Sequence, residues 1–115
     1  MNKIKLVVNN EAKRNEKEKF FIKQELQSIL NLYAKMVSNG SWKDYSFTSG
    51  IKEVSFDVYQ RASEKPVLRI LKNLKPKYFN EKYLIKDKNG AILKKSENLN
   101  QLISKTSWNK LKLVK

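Results

Sequence analysis

The ionisable side chains of this chain limit the chemistry that it can perform. It carries 25 Lys and Arg against 11 Asp and Glu, and it has neither His nor Cys. The chain therefore lacks a thiolate nucleophile, a disulfide and the imidazole groups that serve as metal ligands and general bases. Its three Gly stand apart, at 40, 50 and 90, which excludes a glycine-rich phosphate loop. We expect no catalytic residue, no bound metal and no cofactor.

Carboxylates and arginines are the side chains left for a functional site. The carboxylates that lie among cations in the middle of the chain are Asp44, Asp57 and Glu64. Arg61 and Arg69 lie nearby, and Arg pairs with carboxylates or stacks on aromatic rings in ways that Lys does not. One interpretation is structural: Arg69 pairs with one of those carboxylates and stacks on Tyr59. The other is that these arginines contact a ligand or a partner.

The net charge of +14 has two interpretations as well. Of the 25 cations 22 are Lys, and Lys together with 12 Asn makes up about 30% of the chain. This composition is typical of AT-rich codon usage, which favours drift and solubility as the simpler explanation. The alternative is an anionic partner, either nucleic acid or an acidic protein surface, drawn by the positive field.

The strongest element that could position these residues is a helix over 20–39. Its apolar residues recur at spacings of three and four, as expected for one face of a helix. This predicted stripe consists of Ile22, Leu26, Ile29, Leu30, Tyr33, Met36 and Val37. Gly40 follows where a left-handed C-terminal cap belongs. Residues 9–19 form a polar run of mixed charge, and we interpret residues 1–19 as a mobile lead-in.

Residues 51–72 alternate as two strands joined by a turn do. Phe56 and Val58 would lie beside Leu68 and Ile70 on the core face. This pattern predicts an antiparallel hairpin.

The other face of this hairpin carries its polar residues. We expect a register in which Tyr59 faces Arg69 and Asp57 faces Leu71. An exposed sheet face with aromatic rings and cations can bind single-stranded nucleic acid. The residues that would serve it are Tyr59, Arg61, Arg69 and Tyr83.

The remaining segments complete an α+β fold. We expect an aromatic loop at 41–50, a connection at 73–81 and a second hairpin around Asn89-Gly90. The register of that hairpin is open, since the pairs Leu84/Leu93 and Ile85/Ile92 are both apolar. Ser96 is expected to cap a short helix bearing Leu99, Leu102 and Ile103. The tail 108–115 would form an edge strand or pair with residues 4–8.

The predicted fold class is α+β. A long N-terminal amphipathic helix packs on an antiparallel sheet of two hairpins, and a short C-terminal helix follows. Residues 20–115 would form one domain after the lead-in at 1–19.

Four stretches of the sequence together resemble a known family. They read QELQSILNLYAKMVSNG, WKDYSF, VSFDVYQRASEKPVLRILKN and NGAILKKSENL, and they cover roughly residues 20–103. In this order they are similar to the alphaproteobacterial domain of unknown function 2794. The matching positions are Trp42, Lys43, Asp44, Tyr45, Arg61, Ser63, Glu64, Pro66, Arg69, Ile70 and Lys72. The resemblance implies no activity, but it marks the segments 42–45 and 61–64 as one candidate surface.

These observations give a candidate binding surface and a function class. The surface consists of Trp42, Asp44, Tyr45, Tyr59, Arg61, Ser63, Glu64, Arg69 and Lys72. We expect an uncharacterised, non-enzymatic binding or regulatory module. One alternative is a nucleic-acid-binding protein that uses the basic sheet face. Another is a homo-oligomeric or partner-binding subunit that uses Trp42, Phe47 or Trp108.

The location of the protein is predicted from what the sequence lacks. The apolar stretch near the N-terminus is too short for a signal peptide, and no apolar run approaches the ~18 residues of a membrane span. We therefore expect a cytoplasmic protein with no membrane partner.

Overall fold

A helix of 16 residues and a five-stranded antiparallel sheet form most of the structure, a computed structural model that describes residues 18–61 and 65–108. In chain order the elements are α1 (Lys23–Ser38), β1 (Asp44–Ser49), β2 (Glu53–Tyr59), β3 (Leu68–Asn73), a 3₁₀ turn (Phe79–Glu81), β4 (Tyr83–Asp87), β5 (Ile92–Ser96) and α2 (Leu99–Lys105). The α+β class is confirmed. The lead-in up to residue 17 and the tail from residue 109, with their expected strands, lie outside the described residues.

The sheet is one continuous meander rather than two separate hairpins. Its strands are ordered β1-β2-β3-β4-β5, so each strand pairs with its neighbours in the chain. The expected loop at 41–50 is wrong, because β1 occupies most of it. The reason lies in its alternation: Tyr45 and Phe47 face the core while the small polar residues between them face away, and six residues of this pattern suffice to pair with β2.

Helix α1 confirms the predicted helix, but its buried line is rotated from the predicted stripe. The buried positions are Glu25, Ile29, Leu32 and Met36, whereas Ile22, Leu30 and Val37 each remain 40% exposed. The helix also begins later than predicted, and Phe20 and Phe21 precede it and pack against Phe47. Gly40 has φ +85° and ends the helix as predicted.

The register of β2 on β3 differs by two residues from the predicted one. Asp57 lies opposite Arg69, and Phe56 lies opposite Ile70. The Val67 N–H donates to the Val58 carbonyl at 2.8 Å. The paired part of β2 therefore ends earlier in the sequence than expected, and the connection between β2 and β3 is longer. A shift of two residues keeps every side chain on its predicted face.

The β4–β5 hairpin turns at Gly90, which has φ +87°. Leu84 pairs with Lys95 and Ile85 pairs with Lys94, so neither of the apolar pairs considered forms. An irregularity between Ile85 and Lys86 shifts the register there.

The cap of α2 also differs from the expectation, although the helix itself is confirmed. Asn98 Oδ1 accepts from the Gln101 N–H at 2.9 Å, and Ser96 Oγ accepts from the Asn98 N–H at 3.0 Å. Asn98 therefore caps the helix, and Ser96 supports the turn that precedes it.

Both helices lie on one side of the sheet, which we call the helix face. Its core joins Ile29 and Leu102 to Phe56, Ile70 and Ile85 of the strands. The opposite side, which we call the outer face, carries the alternate strand residues, and the central ones are Ser55, Asp57, Arg69, Leu71, Leu84 and Lys86. Among the described residues, no helix has the length and apolar character of a membrane span.

Candidate functional site

Asp57 is the centre of a polar network on the outer face. Its Oδ1 accepts from Arg69 Nε at 2.9 Å and from Ser55 Oγ at 2.7 Å, and its Oδ2 accepts from Thr48 Oγ1 at 2.6 Å. Arg69 Nη2 also donates to Ser55 Oγ at 3.0 Å. The strand registers produce this arrangement, since Asp57 faces Arg69 and Thr48 faces Ser55. The predicted pairing of Arg69 with a carboxylate is therefore present, and Asp57 is that carboxylate.

The two partners differ in their access to solvent. Asp57 is buried, whereas the Arg69 side chain is 33% exposed. The network uses two of the five guanidinium N–H donors, and it fixes the plane of the group. Lys86 lies directly opposite Arg69 on β4. Like charges at opposed positions repel, so an anion above Arg69 and Lys86 would be favourable.

The other predicted site residues that the structure describes divide between the two faces of the sheet. Asp44 and Tyr59 oppose each other at the edge of the outer face, where the Tyr59 hydroxyl bonds Ser46 Oγ at 3.0 Å. Arg61 is exposed just after β2. Ser63 and Glu64 lie outside the described residues.

Three aromatic residues of interest lie on the helix face. Trp42 is buried in the core. Tyr45 is 39% exposed, and its ring lies 4.8 Å from that of Tyr33. Tyr83 is buried on the same face, so it is not beside Tyr59 and Arg69 as the nucleic-acid alternative required.

Lys72 is the most deeply buried of the predicted site residues, with 1% of its side chain exposed. Its Nζ lies 2.8 Å from Glu25 Oε1, 2.6 Å from Glu18 Oε1 and 3.1 Å from the Phe20 carbonyl. These three acceptors use all three donors of the ammonium group. Lys72 therefore joins β3 to the start of α1.

Glu25 completes this buried cluster with Tyr83. The Tyr83 hydroxyl donates to Glu25 Oε2, and the Ile22 N–H donates to Glu25 Oε1 at 2.8 Å. Burial is the largest cause that raises the pKa of Tyr83 above its ordinary value, and the bond to Glu25 adds to it. Tyr83 lies opposite Lys72 in the sheet, so one carboxylate fastens α1 to both β3 and β4.

Sequence reasoning missed Glu25, and it gave Tyr83 a different role. The position of Glu25 in the sequence could have indicated its burial. It precedes Ile29, Leu32 and Met36 at helical spacing and therefore lies on the buried side of the helix. An acid in an apolar line needs a buried cation, and the alternation of β3 places Lys72 on the same face.

Two surface depressions adjoin the helices. One, of about 170 Å³, lies beside Glu25 and Tyr83 and is bordered by Glu97 and Asn98. The other, of about 430 Å³, lies between α1 and α2 and is lined in part by Trp108. Within the described part of the chain, no group of three or more acidic residues is placed to hold a metal ion.

Comparison with known protein families identifies the family of this chain. The family model described as Protein of unknown function (DUF2794) matches residues 19–103. No curated protein and no solved structure matches the chain. The matched range contains both the Asp57 network and the Lys72 cluster, and it confirms the resemblance found in the sequence.

Proposed function

The chain belongs to the DUF2794 family of proteins of unknown function, and we propose from the geometry of its outer face that it is a non-enzymatic binding module. Its binding residues are Arg69 and Lys86 on the outer face, and its partner is anionic. The observation that carries this proposal is the guanidinium of Arg69, whose side chain is 33% exposed while Asp57 and Ser55 hold it in place.

The carboxylates of the two clusters support a non-enzymatic role. Asp57 accepts hydrogen bonds from Thr48, Ser55 and Arg69. Glu25 accepts from Ile22, Lys72 and Tyr83. Both oxygens of each carboxylate are therefore engaged within the chain, and a general acid or base would have to give up these bonds to act.

The oriented arginine supports an anionic partner. An arginine that is fixed before binding loses little conformational freedom when it binds a phosphate or a carboxylate. Lys86 lies directly opposite Arg69 in the ladder, with no carboxylate of the described residues between the two side chains, and it adds a second positive charge. One anionic group placed above both side chains would relieve their mutual repulsion.

Nucleic acid is the partner class that these features favour. The net charge of +14 attracts a polyanion more strongly than it attracts an isolated carboxylate, because many charges interact at once and counterions are released. Among the described outer-face positions of the strands, Tyr59 is the one aromatic residue, and it already bonds Ser46. We therefore expect contacts with phosphates rather than stacking with bases, and little sequence preference.

Fluorescence anisotropy with labelled single-stranded RNA and duplex DNA tests this proposal. Each titration is run at low and near-physiological salt with wild type, Lys86→Ala and Lys23→Ala. Lys23 begins α1 on the opposite side of the sheet, so it is the control with the same loss of charge. We expect Lys86→Ala to weaken binding several-fold and to reduce the salt slope by about 1, with a smaller change for Lys23→Ala.

Equal losses in the two variants would overturn the site, because they would show that only the total charge matters. An acidic peptide serves as the competing partner class. Binding of that peptide, dependent on Lys86 and without measurable affinity for either nucleic acid, would keep the binding module and overturn the nucleic-acid assignment.

The alternative of a homo-oligomer gains no support from its expected contact residues. Trp42 and Trp108 pack against each other with ring centroids 5.8 Å apart, and Phe47 packs on Phe56. Light scattering across a dilution series would test this alternative directly.

A further inference from the structure

We infer that one end of the sheet docks on an anionic membrane surface. The side chains concerned are Ile51, Tyr78 and Phe79, which are 86%, 57% and 69% exposed. They exceed every other exposed large hydrophobic side chain in the described part of the chain. We call this set, together with Lys52, Lys75 and Lys77, the apolar tip.

The topology brings the two halves of the apolar tip to the same end of the molecule. Ile51 lies in the turn between β1 and β2, and Tyr78 and Phe79 lie in the connection between β3 and β4. Since neighbouring strands are antiparallel, both of these connections emerge at one end of the sheet. The Leu74 N–H donates to the Lys52 carbonyl at 2.8 Å and ties the two connections together.

The backbone of this end is bonded within itself. Asn73 donates from its backbone N–H to the Lys82 carbonyl at 2.8 Å and from Nδ2 to the Glu81 carbonyl at 2.6 Å. Within the 3₁₀ turn, the Glu81 N–H donates to the Tyr78 carbonyl at 2.9 Å. Several backbone polar groups around the apolar side chains therefore already have partners, which reduces the cost of entering an apolar medium.

Lysines accompany each apolar segment. Lys52 follows Ile51 directly, and Lys77 precedes Tyr78, with its Nζ 5.8 Å from the centre of that ring. Apolar side chains that enter the boundary between headgroups and acyl chains, with lysines reaching lipid phosphates, are the known basis of peripheral membrane binding. The charge of the chain, +14, complements an anionic bilayer.

Ile51 distinguishes a bilayer from a nucleic acid as the occupant. Bases stack on aromatic rings, and an aliphatic side chain offers no such ring. Burial of Ile51 is favourable only in an apolar environment. The sequence-based expectation of no membrane partner depended on the lack of a spanning segment, and docking of this kind requires none.

Vesicle co-sedimentation with the full chain tests this inference. The probes are vesicles of phosphatidylcholine alone and vesicles that also contain phosphatidylglycerol. We expect binding to the anionic vesicles, at least a tenfold loss in the double variant Ile51→Ser/Phe79→Ser, and about a fivefold loss for Lys77→Ala. The matched controls lie at the opposite end of the sheet: Ile92→Ser/Leu93→Ser, at side chains that are 52% and 36% exposed, for the apolar pair, and Lys88→Ala for Lys77→Ala.

Circular dichroism establishes that each variant is folded, as expected for changes at exposed positions. Equal binding by the tip and control variants would overturn the inference, as would equal binding to both kinds of vesicle. A loss of RNA affinity in Phe79→Ser without any vesicle binding would reassign the tip to nucleic acid. Lys86→Ala should bind vesicles like wild type, so a failure here is distinct from a failure of the outer-face proposal.

Discussion

Two cations of β3 form similar ion pairs on the two faces of one sheet, but the two pairs differ in whether they can bind a further partner. Arg69 lies on the outer face and Lys72 on the helix face, three residues further along the strand. Each contacts a buried carboxylate, Asp57 for Arg69 and Glu25 for Lys72. The Arg69 side chain is 33% exposed, whereas that of Lys72 is 1% exposed because α1 covers its end of the strand.

This difference decides which pair can bind anything else. Lys72 directs its three donors at Glu18, Phe20 and Glu25, all within the chain. Arg69 uses two donors within the network and keeps part of its guanidinium in solvent. The Lys72–Glu25 pair therefore has a structural role and links α1 to β3. The Arg69–Asp57 pair holds the guanidinium in place but leaves part of it accessible to a partner.

Lys72→Met should have the largest effect on stability. It leaves the buried Glu25 without its cation, and the expected loss is about 3–5 kcal/mol of unfolding free energy, measured by urea denaturation. The double variant Lys72→Met/Glu25→Leu should recover much of this loss, because neither charge is then left unpaired. A single-variant loss below about 1 kcal/mol would contradict the structural role of the pair.

Asp57→Ala should cost less, about 2 kcal/mol in the same measurement. It removes the acceptor of Thr48 and Ser55, but Arg69 can turn toward solvent because it is already partly exposed. Asp44→Ala, at an exposed carboxylate on the same face, is the control and should change stability by less than about 0.5 kcal/mol. A loss as large as that of Lys72→Met would remove the distinction between the two faces.

Tyr83→Phe should have the smallest effect at neutral pH, about 1 kcal/mol, through the lost bond to Glu25. Above about pH 10 the unfolded chain ionises this tyrosine, while the raised pKa keeps it protonated in the folded state. Folding stability therefore falls as the pH rises through this range.

Urea denaturation at a series of alkaline pH values measures this decline. The decline should be shallower in Tyr83→Phe, whereas Tyr78→Phe, which alters an exposed ring, should retain the wild-type profile. Identical profiles for wild type and Tyr83→Phe would show that the folded state does not keep Tyr83 protonated.

Much of the fold could be predicted from hydrophobic periodicity. The helix, the strands β2 to β5 and the face of each strand residue in the first hairpin follow from patterns of period 3.6 and 2. The register of β2 on β3 could not be predicted in this way, because a shift of two residues leaves the same side chains in the core. The observed register differs from the predicted one in that Asp57 pairs with Arg69 and the Val67 N–H bonds the Val58 carbonyl. Neither contact can be recognised before the strands are placed side by side.

The candidate site was predicted only in part. Pairing of Arg69 with a carboxylate was predicted because Arg is rare in this chain and has a defined pairing geometry, but the choice among Asp44, Asp57 and Glu64 stayed open. Trp42 and Lys72 were assigned to the same surface, but the structure buries both. A buried Lys cannot be distinguished from a surface Lys by residue type, since only the carboxylate of Glu25, 47 positions away, makes its burial possible.

The chain-order arrangement of the strands also governs the route by which this protein folds. Within residues 18–61 and 65–108, every ladder joins strands that are neighbours in the sequence, so hairpins can form successively with little loop-closure entropy, which favours rapid folding. The contacts of Glu25 with Lys72 and Tyr83 span much longer stretches of chain, and we expect them to form after the transition state. The buried cluster would then act mainly on the unfolding rate, and its loss would shorten the lifetime of the native state more than it slows folding.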